Sequence, residues 1–409
     1  MDNQPDEKED VREIIVEKKS GFSYPEMIII MIIALLFGFL IGNIVSFTTG
    51  SSSAASSSEL KELIATYEDI VDNYYEDVDK EKLIDAGIKG MIDYLDDPYA
   101  TYFEGESSDE FNESLEGSYQ GIGIEVMQKD NVITITKVFD GSPSAEAGLQ
   151  VNDILTKVAG KSVDGMLLEN VVSLIKGDNH GKIDITVLRN GTELTVSVNR
   201  EEVNIPQVTS KVYTVNNKKI GYVQIEIFSA NIFDQFKQAM KSLEIENISS
   251  LVIDVRNNPG GYLSQVTDIL SLFMNRNQVL YQLDTKGETE KIYGTSKKAT
   301  YSYPVIVLIN EESASAAEIL AGAFKETYKA DIIGVNSYGK GTVQKTGDLN
   351  SGDTIKYTVQ KWLTPNGNWI NETGIEPTEK VQLQVPVTET ITEENDNQLQ
   401  RALEIASQK

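Results

Sequence analysis

The sequence predicts a multidomain α/β protein, and three observations carry that expectation. The chain has 409 residues, long enough for about two to four domains. Between 219 and 377, short apolar strand runs alternate with helical patterns, the layering of an α/β core. Upstream, 117–200 follows a different grammar of short strands parted by turn residues, which marks a separate β-rich domain.

The elements follow in order. Residues 1–26 read as a cytoplasmic tail. Residues 27–47, MIIIMIIALLFGFLIGNIVSF, carry no charge. At about 1.5 Å per residue this helix would reach roughly 30 Å, the thickness of a bilayer core. It is apolar on every side, unlike an amphipathic helix laid on a core, so one transmembrane helix is expected. After Lys19 no Lys or Arg appears until Lys61, which places the tail inside and the bulk of the chain outside. The Ser/Ala-rich stretch 48–58 is a flexible linker. Region 59–116 opens with two helices. The first, about 59–77, aligns Leu60, Leu63, Tyr67, Ile70 and Tyr74 on one face; the second, 80–95, is capped by Asp79. Helices this short need a partner for their apolar faces, either the rest of the chain or a second copy.

In 117–200 the strand runs are 123–126, 132–138, 154–158, 183–189 and 194–198, with a helix at 167–176. Asn190-Gly191 is the signature of a type I′ hairpin turn. The opening YQGIGIEV, followed by SPSAEAGLQVNDIL, looks like a PDZ domain. Gly121 and Gly123 let backbone N–H groups converge on a peptide's terminal carboxylate, and the peptide would add as a strand beside Ile122 and Ile124. In 201–378 the predicted strands are 220–227, 251–255, 305–309 and 332–335. The helices are 233–243, 263–273 and 314–328, and a β-rich end follows at 354–362. The last region, 379–409, ends in an amphipathic helix at 392–407.

Composition removes several chemistries. The net charge is −27, with 63 acidic against 36 basic residues and no basic stripe, so nucleic-acid binding is not expected. There is no cysteine and one histidine, His180. A cysteine nucleophile is excluded, as is a metal site built on several His or Cys ligands. A Ser-His-Asp triad would need His180, which lies in the polar turn KGDNHGK. A Ser-Lys dyad survives, because burial can lower a lysine pKa toward working pH.

The stretch 313–344, SASAAEILAGAFKETYKADIIGVNSYGKGTVQ, holds the residues for that dyad. A serine, 313 or 315, starts a helix whose first-turn N–H groups are unpaired. Read alone, SASAAE is a capping sequence with Glu318 at the box position. Lys340 lies between Gly339 and Gly341, and on a strand Gln344 would share its face. The run from Gly334 to Thr342 also approaches the phosphate-loop pattern. It fails at Gly341, where a magnesium-binding hydroxyl should stand, and TVQKTG reads as strand rather than helix.

The pair SASAAEI and YGKGTVQ resembles the carboxyl-terminal processing peptidases, or tail-specific proteases, in which serine stands in SASxxEI and lysine in FGKGxxQ. The family separates the two by 25 residues, which selects Ser315 over Ser313 since 340 − 315 = 25. The resemblance covers most of the chain from about Glu59 and departs at Ala317, where many members carry a further serine. It implies a ClpP/crotonase-like α/β protease core with an inserted PDZ domain and flanking N- and C-terminal helices. It also implies Ser315 as nucleophile, Lys340 as base, and Gln344 to orient the lysine. The oxyanion hole would be built from the Ala316 amide and the glycine turn of VIDVRNNPGG, Gly260 or Gly261. The PDZ cradle 121–124 (Gly121, Ile122, Gly123, Ile124) would bind protein or peptide C-termini. Lys176 stands where the family often has an arginine that senses the bound peptide. As a cation at a helix C-terminus it also has a plain electrostatic reading. No cofactor or metal is implied; a homodimer in a bacterial cell membrane, single-pass and with the protease outside, is. Two other classes stay open at this stage, a catalytically silent PDZ scaffold and a nucleotide-binding protein.

The elimination of other bases gives a direct test. His180→Ala should leave peptide turnover within about twofold of wild type, because only members of the catalytic unit fail together. A collapse of turnover in that variant would restore the triad.

Overall fold

The computed structural model describes residues 58–176, 181–386 and 390–409. The tail, the apolar run 27–47, most of the linker and His180 lie outside the described residues. Among the described residues no helix is long and apolar enough to cross a membrane. The chain divides after Gly87 into two compact units.

Helix Ser58–Asn73 lies in the first unit, and helix Lys80–Asp93 follows; neither has a buried residue. The first helix stops short of its expected end, and Asp79 accepts the Lys82 N–H to start the next.

In the second unit, the β-rich domain is a seven-stranded antiparallel sheet. Its order is Ser118–Gly121, Thr192–Asn204, Gly181–Arg189, Ile154–Val158, Val132–Val138 and Ile124–Lys129, with Lys161–Ser162 beside Ile154–Val158. The strand expected at 194–198 runs on to Asn204 because its far half pairs with Ser118–Gly121. That non-local pairing has no local sequence signal. Asn190 and Gly191 both take positive φ, as a type I′ turn requires. Helix Leu168–Lys176 packs Val171 and Ile175 into the domain core.

The α/β core is a six-stranded sheet that follows the chain in order. From one edge it runs Val208–Val215, Lys218–Ile225, Ser250–Asp254, Val305–Ile309, Asp331–Gly334 and Glu379–Lys380. All pairs are parallel except the first hairpin, which turns on Asn216 and Asn217. Right-handed crossovers that step always in one direction put their helices on one face. Helices Ile232–Ile245, Leu263–Ser271 and Ala316–Ala323 accordingly share a core with Val223, Ile253 and Val307. The alternate strand residues Tyr222, Val252 and Ile306 face the other way and are covered by Leu399 and Leu403 of helix Asn397–Gln408. The expected helix 314–328 is α-helical to Ala323 and closes as a π-turn over Phe324–Tyr328.

A second, antiparallel sheet carries Thr101–Phe103, Thr354–Leu363, Val279–Thr285 and Glu288–Tyr293, with Thr342–Asp348 also paired to Thr354–Leu363. The hairpin 279–293 was absent from the sequence expectation. Its turn, Lys286-Gly287, uses positive φ at a lysine, an unusual residue for that role.

The C-terminal helix is locked to the sheet by charge. The Arg256 guanidinium bonds Asp254 at 2.6 Å and Asp396 at 2.8 Å, and both carboxylates are buried. Asp396 also caps the helix by accepting the Leu399 N–H. Arg256→Ala would leave two buried carboxylates unpaired, so we expect a loss of roughly 3–5 kcal/mol in chemical denaturation. Arg256→Lys should recover only part of it, lacking the two-pronged fork. An unchanged unfolding midpoint would contradict this arrangement.

Candidate active site

Four of the parallel strands of the core lead into the site from their carboxyl ends, where ligands of open α/β sheets bind. After Lys218–Ile225 comes Phe228; after Ser250–Asp254, Gly260 and Gly261; after Val305–Ile309, Ser315; after Asp331–Gly334, Lys340. Ser315 sits at the N-terminus of the buried helix Ala316–Ala323 with φ 55° and ψ −114°. A non-glycine residue held there stores strain of about 1–3 kcal/mol, a feature of sharp strand-to-helix nucleophile turns.

The Glu318 carboxylate, fully buried, joins the two motifs. Its Oε2 accepts the Ser315 N–H at 2.8 Å and the Lys340 N–H at 2.9 Å. Its Oε1 accepts the Gly339 N–H at 2.7 Å and the Ser337 hydroxyl at 2.6 Å. Burial pushes this carboxyl above the usual range, while the four donors pull the other way. All four partners donate, the pattern of an ionised carboxylate.

Lys340 is largely withdrawn from water, and its pKa falls to about 8. Burial is the main cause, with repulsion from Lys356 second; Asp97 and Glu318 oppose both. Its ammonium lies 4.8 Å from the Tyr99 ring centre. Lys356 stands over Phe103 and Phe111, 5.1 and 5.2 Å from their centres. The glycines around Lys340 are required by close approach. A Cβ on Gly339 would meet the Thr373 N at 2.9 Å, and one on Gly341 the Trp369 Nε1 at 2.6 Å. Gln344 lies on Thr342–Asp348, and its amide nitrogen donates to the Thr342 and Thr358 hydroxyls at 2.9 and 3.0 Å.

Ala316 is the first helical residue, so its N–H has no intrahelical acceptor. The glycine turn touches it: a Cβ on Gly260 would lie 2.8 Å from Ser315 Cβ and 3.2 Å from Ala316 N. The Gly260 N–H itself donates to Asn258 Oδ1 at 2.8 Å, which leaves Gly261 as the candidate second donor. The loop 334–341 opens into strand Thr342–Asp348, so no helix follows it to carry a phosphate. The phosphate-loop reading therefore has no geometric support.

In the β-rich domain a cavity of about 310 Å³ lies between helix Leu168–Lys176 and strand Ile124–Lys129. Ile122, Ile124, Val126, Phe139, Val172 and Ile175 form its apolar wall. Gly123 takes φ 81° against the Ser142 side chain, the position where only glycine fits. Lys176 closes the predicted helix and pairs with Glu113 of helix Glu106–Glu116 at 2.5 Å.

Comparison with known proteins decides the family. Residues 219–381 match the model of peptidase family S41, 134–189 a PDZ domain, and 43–107 the activating protease CtpB N-terminal domain. The carboxy-terminal processing protease CtpB of Bacillus subtilis is 39% identical over 332 residues, covering 81% of this chain and 69% of the relative. CtpA of the same organism is 37% identical over 347 residues, covering 84% of this chain and 73% of that protein. The chain belongs to peptidase family S41. A crystal structure of an S41 protease from Bacteroides fragilis agrees in fold, with TM-score 0.50 and 18% identity over 82% of this chain and 91% of that one.

This S41 peptidase is thus a serine-type endopeptidase of the carboxy-terminal processing kind, with a PDZ domain. In the sequence Glu318 reads only as a helix-cap position, and Tyr99 and Lys356 do not stand out. The Glu in SASAAEI was a usable signal, since the box position already faces the Ser315 N–H. Tyr99 and Lys356 had none, because their strands or turns reach the site only through the second sheet.

Only a neutral amine accepts a proton, so with Lys340 as the base turnover should rise with pH through about 8 and then level off. Lys356→Met removes a neighbouring positive charge and should move that midpoint upward. A pH–rate profile with chemistry rate-limiting checks both; a flat profile, or a downward shift in the variant, would contradict the assignment.

Proposed function

We propose that this S41 peptidase is a membrane-anchored enzyme that captures substrate C-termini in its PDZ groove and cuts peptide bonds with a Ser315–Lys340 dyad. The observation that carries it is the single Glu318 oxygen that receives the N–H groups of both residues. Ser315 Oγ attacks the scissile carbonyl while its proton passes to Lys340 Nζ. The carbonyl oxygen becomes an oxyanion facing the Ala316 and Gly261 N–H groups. Lys340 then gives the proton to the leaving amine, and water activated by the same amine hydrolyses the acyl-enzyme. Gln344 spends its amide hydrogens on two threonines, so its carbonyl oxygen is the group assigned to orient the lysine amine.

The apolar run 27–47 supplies the anchor in a bacterial cell membrane, with the protease outside. Exposed Leu63, Ile64 and Ile70 on helix Ser58–Asn73 support self-association as a dimer.

Ser315→Ala and Lys340→Ala should each lower kcat by about 10³-fold or more while the melting temperature stays near wild type. Near-normal turnover in either folded variant would overturn the dyad.

A further inference from the structure

The peptide groove holds polar groups of the chain itself at the end where a carboxylate would enter. Tyr119, on strand Ser118–Gly121, folds its ring across Gly121: a Cβ there would lie 2.4 Å from the ring. The ring lines the groove cavity, and the Tyr119 hydroxyl faces the backbone N–H groups of Gly123 and Ile124. Those are the amides that the glycine loop offers to a terminal carboxylate. Lys176 Nζ lies 5.7 Å from the Tyr119 ring centre and is bonded to the Glu113 carboxylate, which lines the same cavity. A phenol turned toward the amides from across Gly121 and a carboxylate on the flanking cation together occupy the positions that a substrate's C-terminus would take.

We propose that the groove is self-occupied: Tyr119 and Glu113 stand in for the substrate carboxylate, and a tail binds by displacing both. Glu113 belongs to helix Glu106–Glu116, which is fastened to the protease by Ser108 and Asn112 on the Thr354 hydroxyl, at 2.8 and 3.2 Å. Tail capture therefore releases a contact between the PDZ helix and an element seated on the strand that carries Lys356. The pair Glu113–Lys176 is about one-third exposed on each side, so its hold is weak enough for a peptide to break.

The inference rests on carboxylate capture by the PDZ domain, and the test separates the two. The full chain carrying Ser315→Ala is titrated with a fluorescent peptide ending in an apolar residue, as the free acid and as the amide. Glu113→Gln and Tyr119→Phe should each tighten binding of the acid by about two- to fivefold, the scale of a partly screened contact. Glu113→Gln should leave the amide unchanged, and adding Lys176→Met should erase its gain. Unchanged or weaker acid binding in both folded variants, with the acid preference of wild type retained, overturns self-occupation alone. Equal wild-type affinity for acid and amide overturns carboxylate capture itself. The two variants report from different elements, so loss of fold in one leaves the other decisive.

Discussion

Four donors converge on the buried Glu318 carboxylate, and the site has its shape because of that convergence. The serine turn and the lysine loop leave different strands. Ser315 holds a backbone conformation that a free turn would abandon, and Lys340 sits in a glycine-flanked loop. A buried charge must find donors or lose its proton, and here the donors available are the backbones of both motifs. Specificity of placement follows from the same energetics: any displacement of either loop would strand part of a charge in a dry interior.

The lysine is poised by a contest in which burial prevails. The Tyr99 ring, Asp97 and Glu318 all favour the charged ammonium. Desolvation and the Lys356 charge act against it, and the outcome is an amine that titrates near physiological pH. Lys356 can stay nearby because two aromatic faces partly replace its lost water. One strand, Thr354–Leu363, therefore sets the charge around Lys340, pairs with strand Thr342–Asp348, and anchors the helix that reaches the PDZ groove.

The order of the sheet explains why a distant C-terminal segment belongs to the fold. Crossovers in one direction leave half of the strands' apolar side chains without a helix. Helix Asn397–Gln408 covers them, and Arg256 fixes its start through Asp396. Separate capping and ion-pair requirements meet in one aspartate, which makes the junction directional rather than merely apolar.

Much of this was legible in the chain itself. Alternating strand and helix patterns identified the core, turn residues marked off a β-rich domain that the resemblance of YQGIGIEV named as PDZ, and the absence of cysteine with a single histidine narrowed the nucleophile to serine. Those properties are local or compositional, and a sequence displays them directly. The tertiary structure alone decided that Glu318 binds both motifs rather than only capping a helix, and that Gly260 is committed to Asn258 while Gly261 is not. It also decided that Lys356 and Tyr99 approach Lys340. Each of these depends on which loops the sheet order brings to one end. Contacts between residues far apart in sequence leave no periodic or compositional trace until the strands are ordered.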